Sequence, residues 1–330
     1  MKICVVGAGA IGGWMGVLLA RLPGVQLSVL ARGETLKALH EHGLRMSDAQ
    51  GDHTVQVIAS DKAADLGAQD LIVLAVKAPA LEQVVPQIAP MMTPTTQVLT
   101  AMNGVPWWFL QGFGGPWANR ALSSVDPQGR LAQAIPAHQI IGCVVHSSCA
   151  MRSPGHVQHH FGNGLIVGEP SGVNSAATQR VYQWLQEAGF QATLSPCIQQ
   201  DTWYKLWGNM TMNPVSAITG ATSDLVLADP LVLDFVSSVM LEAKAIGNLL
   251  GLTIDQQPQD RHVLTRRLGA FKTSMLQDVE AGRAVELDAL VGAVQELGQM
   301  TGVATPFTNA LLGLSRLHAR VKGLYPLAEA

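Results

Sequence analysis

The strongest constraint on the fold lies at the start of the chain. Residues 2–6 are a short apolar run, and Gly7-Ala8-Gly9-Ala10-Ile11-Gly12 follows it directly. An apolar helical pattern then covers 10–22 and closes at Pro23-Gly24. A GxGxxG pattern carries little weight alone, but between a strand and a helix it has the setting that dinucleotide binding requires. The first glycine permits a tight turn, the second lets the backbone approach a pyrophosphate, and the third lets helix and strand pack closely. The N-terminus of the helix offers its unpaired N–H groups to the phosphates. Gly7, Ala8, Gly9, Ala10, Ile11 and Gly12 are therefore the expected cofactor-binding turn.

The second strand, read over 25–30, bears on the choice of cofactor. NAD binders carry an Asp or Glu at its end for the ribose 2′-hydroxyl. Here the strand runs into Ala31-Arg32, and a guanidinium can hold a 2′-phosphate through two parallel hydrogen bonds. Glu34, just beyond, argues the other way. The balance favours NADP(H), with Arg32 as a cofactor-binding residue.

Beyond this point strands and helices alternate. A helix is expected at 36–42, a hairpin-like pair at 44–46 and 53–59, a buried strand at 70–76, a helix at 80–88 and a strand at 97–101. The alternation predicts an α/β, doubly wound sheet of Rossmann type. Three further strands, at 140–145, 155–160 and 165–168, have short connections and read as antiparallel additions. A helix at 176–188 follows, and from about Gln200 helical periodicity dominates. The expected organisation is a Rossmann-like NADP-binding domain over 1–198 and an all-helical substrate domain over 199–330. The stretch 225–245 suits a domain core or a homodimer contact equally well.

Composition narrows the function. Two domains fit 330 residues. A net charge of −3 gives no basic footprint for nucleic acid. No apolar run reaches the roughly 18 residues that cross a bilayer, and none reads as a signal peptide. Cys4, Cys143, Cys149 and Cys197 form no CxxC pair or metal-ligand spacing. His156, His159 and His160 lack an acid or cysteine to complete a metal site, so no metal is expected. A cytoplasmic enzyme acting on a small molecule is the simple reading.

A nicotinamide reductase needs a proton donor and groups that hold the substrate, since the cofactor carries the hydride. Lys205, Asn209 and Asn213 lie four apart, so on a helix they share one face, with Trp203, Leu206, Trp207 and Met210 on the others. Such a stripe suits the wall of a cleft, and Pro214 should end or kink the helix. Further on, Ser274-Met275-Leu276-Gln277-Asp278 precedes a turn at Gly282-Arg283, and Glu286 opens a helix running to about Thr301. By sequence alone Ser274 is a cap or a solvent residue, and Glu286 is an acid suited to a first helical turn.

These motifs, with Val76-Lys77-Ala78 and Asn103-Gly104, resemble the ketopantoate reductase (2-dehydropantoate 2-reductase) family over nearly the whole chain and in order. The resemblance implies NADPH-dependent reduction of a 2-oxo acid, such as ketopantoate, to the 2-hydroxy acid. By position it implies Lys205 as the general acid and Glu286 as an acid near the substrate hydroxyl and the nicotinamide. It implies Asn209, Asn213 and Ser274 as substrate-binding residues. Asn103 falls at the cofactor–substrate junction, and Lys77 lies in the cleft, serving both ligands.

The chain also departs from that pattern. Ala80 stands where the family often has glutamine, and Gln199 where arginine is common. Segment 106–136 is about twenty residues longer than the family leads one to expect. It holds Trp107, Trp108, Phe109, Phe113 and Trp117. They fit either an aromatic wall selecting a bulkier carbonyl substrate or a small extra core or subunit contact. A cofactor-binding sensor without turnover is a third reading, against which the intact Lys205, Asn209, Asn213, Ser274 and Glu286 set argues.

Overall fold

In a computed structural model, which describes residues 1–327, the chain divides into two compact units. Unit 1 comprises 1–102, 110–114 and 129–201; unit 2 comprises 103–109, 115–128 and the chain from Thr202 onward.

Unit 1 is built on one ten-stranded sheet. Strands β1 (Lys2–Val6), β2 (Gln26–Leu30), β3 (Leu44–Asp48), β4 (Gly51–Val55) and β5 (Ile58–Ser60) come first, with helices α1 (Ala10–Leu19) and α2 (Gly33–His42) among them. Then come α3 (Ala63–Leu66), β6 (Leu71–Leu74), α4 (Leu81–Val84), β7 (Gln97–Ala101), α5 (Arg130–Ala134), β8 (Ile140–Ser153), β9 (His156–Gly168), α6 (Ala176–Glu187) and β10 (Gln191–Leu194). The order β5-β2-β1-β6-β7-β8 is parallel throughout. It is the doubly wound order, with its switch point between β1 and β6. The central strands are apolar and buried, as strands covered on both faces must be. Trp14 of α1 anchors the core cluster and meets Phe190 edge-on at 5.0 Å between ring centroids.

Several elements differ from the sequence reading, each for a local reason. The expected helix at 80–88 is a single α-turn, α4, between 3₁₀ turns at Ala78–Ala80 and Val85–Met91. Pro86, inside the expected span, removes an N–H that a continuous helix would use, and Pro90 stands just past its end. The three late strands are two long ones. β8 joins the parallel order beside β7, because segment 102–139 is long enough to cross over. Only β9 runs antiparallel to β8. β9 is long enough to take β3 beside its start and β10 beside its end. The hairpin is β3–β4, and β5 instead leaves to extend β2.

Unit 2 is helical. It holds α7 (Ile198–Thr219) from Thr202 on, α8 (Ser223–Ala228), α9 (Pro230–Leu250), α10 (Pro258–Arg266), α11 (Ser274–Glu280), a π-turn over Asp288–Gly292, α12 (Ala293–Thr301) and α13 (Pro306–Val321). α7 does not stop at Asn213. Pro214 lies within it, and its missing N–H forfeits one rung, to the Met210 carbonyl. Among the described residues no helix is long and apolar enough to cross a membrane.

Segment 106–136, which the sequence reading kept whole in the first domain, is divided between the units. Trp107, Trp108 and Phe109 are at most 2 % exposed, and Phe109 packs on Trp203 with ring centroids 5.9 Å apart. Ser123 and Ser124 give their backbone N–H groups to the Glu296 carboxylate at 2.7 and 2.8 Å, and the Ser123 hydroxyl adds a third bond at 2.9 Å. Trp107, Trp108 and Phe109 thus pack as core and Ser123 and Ser124 tie the segment to α12, whereas Phe113 and Trp117 are only half-buried.

Candidate active site

The glycine-rich turn lies where β1 meets α1. Gly7 has φ +92°, a left-handed conformation that side chains disfavour, and its N–H donates to the Leu30 carbonyl at 3.2 Å. A Cβ on Gly12 would stand 2.1 Å from the Gly7 carbonyl oxygen, so α1 can sit this close to the turn only without one. Gly9 differs: it caps α1 with no side-chain hydrogen bond, and no atom lies within 4 Å of where its Cβ would be. An open, uncapped helix N-terminus beside a glycine that nothing crowds is what a pyrophosphate needs. Arg32 follows β2 as the exposed cap residue of α2, and Glu34 lies in the first turn of that helix. Lys77, half-buried, follows β6 at the same carboxyl edge of the sheet. Gln199 is a packing residue, its Nε2 donating to the Pro170 carbonyl at 2.7 Å.

The polar stripe lies in unit 2. Along α7, Trp203, Leu206, Trp207 and Met210 are buried at 2 % exposure or less, while Lys205 and Asn209 are half-buried. Packing therefore holds the helix by its apolar faces, with Lys205 and Asn209 at the margin of the packing. Lys205 Nζ donates to Asn103 Oδ1 at 2.8 Å. Asn213, 6 % exposed, donates from Nδ2 to Ser274 Oγ at 3.4 Å. Ser274 is not the cap of α11. Thr273 is, accepting from the Leu276 N–H at 3.2 Å, and this leaves the Ser274 hydroxyl for Asn213.

Asn103 owes its place to its neighbours. Gly104 has φ +82°, and a Cβ there would come within 2.6 Å of the Ala289 carbonyl oxygen. The Val105 N–H donates to that same carbonyl at 2.8 Å. Ala289 belongs to the π-turn, a form found disproportionately at functional sites. Glu286, two residues before this turn, is half-buried, and its carbonyl accepts the Leu290 N–H at 3.2 Å. The helix expected from Glu286 to Thr301 thus begins one residue later and is interrupted at once by the π-turn. Sequence reasoning overlooked Asp288 in that turn, and Tyr325, whose hydroxyl donates to Asp288 Oδ1 at 2.5 Å. No periodicity links residues so far apart, and only their closeness in space shows the connection.

His156 and His159 have structural surroundings, His156 Nε2 bonding the Ser47 hydroxyl at 2.8 Å and His159 stacking on Trp14 at 5.7 Å, while His160 is exposed. Among the described residues no group of three or more His, Cys, Asp or Glu could hold a metal ion.

A doubly wound sheet with an open glycine-rich turn, together with a helical unit carrying an amide-held lysine, defines a nicotinamide-dependent oxidoreductase. Comparison with known proteins makes this particular. Residues 3–172 match the family model described as ketopantoate reductase PanE/ApbA, and 197–319 match its C-terminal companion. The chain belongs to the ketopantoate reductase family. It is 42 % identical to the 2-dehydropantoate 2-reductase of Mesorhizobium japonicum over 98 % of this chain and 100 % of that one. A crystal structure from Ralstonia solanacearum MolK2, provisionally described as a ketopantoate reductase, is 53 % identical with a TM-score of 0.94, covering 98 % of this chain and 99 % of that one. D-mandelate dehydrogenase, solved with NADH and anilino(oxo)acetate, shares the fold at a TM-score of 0.83 and 21 % identity, covering 98 % of this chain and 100 % of that one.

Proposed function

We propose that the protein reduces the ketone of a 2-oxo acid, ketopantoate or a near relative, to the 2-hydroxy acid with NADPH. Bound NADPH supplies the hydride that adds to the ketone carbon. Lys205 donates the proton that the carbonyl oxygen takes up as its π bond opens. The observation that carries this reading is the 2.8 Å bond from Lys205 Nζ to Asn103 Oδ1, on a helix whose Trp203, Leu206, Trp207 and Met210 are buried. An ammonium anchored by a neutral amide has a fixed direction. Asn209, Asn213 and Ser274 continue the polar surface and hydrogen-bond the substrate, while Glu286 accepts from its hydroxyl. Gly7 to Gly12, with Lys77 and Asn103, bind the cofactor, and Arg32 takes its 2′-phosphate. The identity to the Mesorhizobium enzyme supports ketopantoate as the substrate to try first. Nothing in the buried packing of Trp107 and Trp108 supports a wall selecting a bulkier one.

The test follows NADPH consumption with ketopantoate by absorbance. Wild type should turn over, and Lys205→Ala should lose a factor of about 10² or more in kcat. Arg32→Ala should raise KM for NADPH by about tenfold or more while leaving that for NADH nearly unchanged, as loss of a charge-assisted pair predicts. Turnover by Lys205→Ala within a few-fold of wild type would refute the assignment of the proton donor.

A further inference from the structure

Residues 322–327, which follow α13, are tied to the turn that carries Glu286. The Leu324 carbonyl accepts the Val285 N–H at 3.2 Å, and the Tyr325 hydroxyl donates to Asp288 Oδ1 at 2.5 Å. These two bonds fall on either side of Glu286. Val285 and Leu287 are buried at 3 % and 1 % exposure, whereas Glu286 between them is half-buried. The tail is itself secured by α13. The Arg320 guanidinium lies 5.5 Å from the Tyr325 ring centroid, and its Nε donates to the Pro326 carbonyl at 2.8 Å. Leu324 is buried, and its N–H returns to the Ala319 carbonyl at 2.8 Å.

The same short stretch reaches Asn103. Asp288 opens the π-turn, and the next residue, Ala289, carries the carbonyl that holds Val105 and against which Gly104 packs. Tyr325, Asp288, Ala289 and Gly104 thus form one chain of contacts. It runs from the C-terminal tail to the amide that holds Lys205, with Glu286 beside it.

We propose that Leu324 and Tyr325 form a clasp that positions Glu286 and Asn103, with Tyr325 a positioning residue acting through Asp288. This rests on the roles proposed above for Glu286 and Asn103. The clasp touches neither substrate nor cofactor. It fixes the turn that carries Glu286 and, through the Ala289 carbonyl, Gly104 beside Asn103. Burial and the Asp288 carboxylate push the Tyr325 phenol well above its usual range, so it remains a donor at every pH at which the enzyme would work. Burial also raises Asp288, against the opposing hydrogen bond from Tyr325 and the charges of Arg316 and Arg320.

The experiment compares Tyr325→Phe with wild type on the full chain. The substitution keeps the ring and its Arg320 contact and removes only the hydroxyl. Hydrogen exchange of the amides at 285–290 should be about tenfold faster in Tyr325→Phe, as loss of a hydrogen bond to a charged group predicts. With ketopantoate and NADPH, kcat should fall by about tenfold, while KM for NADPH and the melting temperature of unit 1 stay put. In a Glu286→Gln background the same substitution should cost less than twofold more, because residues acting through one another are not additive. Unchanged exchange at 285–290 would overturn the clasp. So would an equal fall in kcat in both backgrounds, which would mean that Tyr325 acts independently of Glu286. If wild type did not turn over the oxo acid, the functional reading would fail, and the exchange rates alone would decide the clasp.

Discussion

Two glycines of the glycine-rich turn, Gly9 and Gly12, should fail in opposite ways when given a methyl group. At Gly12 the added Cβ would lie 2.1 Å from the Gly7 carbonyl oxygen and 3.0 Å from the Ala75 Cβ, and backbone cannot swing aside as a side-chain tip can. Forcing such a contact apart costs about 3 kcal/mol, the upper end for overpacking. The gain from replacing a glycine within a helix is about 1 kcal/mol. Gly12→Ala should therefore lose about 2 kcal/mol, a fall of about 4–8 °C in Tm for a unit of this size. Gly9 has φ −75° and ψ −166°, allowed for alanine, and open space around it. The weaker cap that alanine makes costs about 1 kcal/mol, and the loss of unfolded-state freedom returns about 0.4–1 kcal/mol. Gly9→Ala should thus melt close to wild type. Its methyl group would occupy the approach to the backbone, however, and the Kd for NADPH should rise by at least about tenfold, or 1.4 kcal/mol. Thermal melts by circular dichroism and titration of NADPH fluorescence measure the two quantities separately. A Gly9→Ala protein that melts as low as Gly12→Ala, or binds NADPH within twofold of wild type, would refute the reasoning.

Two further predictions concern the inserted segment. Trp108→Ala should cost about 3–5 kcal/mol in urea unfolding, as for other buried large aromatics, with the ranking of kcat/KM across a panel of 2-oxo acids unchanged. A changed ranking without destabilisation would restore the selectivity reading of this segment. Glu296 is the second target: burial alone would raise its pKa, but the Ser124 and Ser123 donors outweigh burial and hold it below the usual carboxylate range. A depressed native pKa adds stability above the unfolded value, about 4.3, and this is lost as pH falls through the native one. Glu296→Gln should therefore be less stable than wild type at neutral pH, and the gap should close in acid. A gap that persists under acid conditions would mean that the carboxylate charge is not what holds Ser123 and Ser124.

The parts legible in the sequence were those governed by local period. The β1–turn–α1 unit was readable because apolar run, glycine spacing and helical pattern agree. So was the stripe of Lys205, Asn209 and Asn213, because helical spacing alone puts them on one face. The outer half of β8, residues 146–153, was not, since it is half-exposed and forms no apolar run, and β9 was read as two strands, 155–160 and 165–168, where it is one. The helix at 80–88 looked apolar enough, but Pro86 outweighed the pattern. The grouping of Asn103 with Lys205, 102 residues apart, depends on tertiary packing. The resemblance supplied roles there, and the Asn103-Gly104 pair, but not the π-turn against which Gly104 packs. Thr273 capping α11 in place of its neighbour Ser274 is a difference of one residue that pattern reading does not resolve.

The passage of residues 103–109 and 115–128 into unit 2 has a consequence for biosynthesis. Unit 1 has all its strands once the chain has been made through Leu194. Phe109, by contrast, must wait for Trp203, Gly104 for Ala289, and Ser123 for Glu296, 173 residues later in the chain. At ribosomal speeds of about 5–20 residues per second, this leaves Trp107, Trp108 and Phe109 uncovered for on the order of ten seconds or more. During that interval the nascent protein carries a sticky aromatic patch beside a nearly finished sheet. Chaperone dependence and aggregation during expression should therefore track this segment rather than the strands around it.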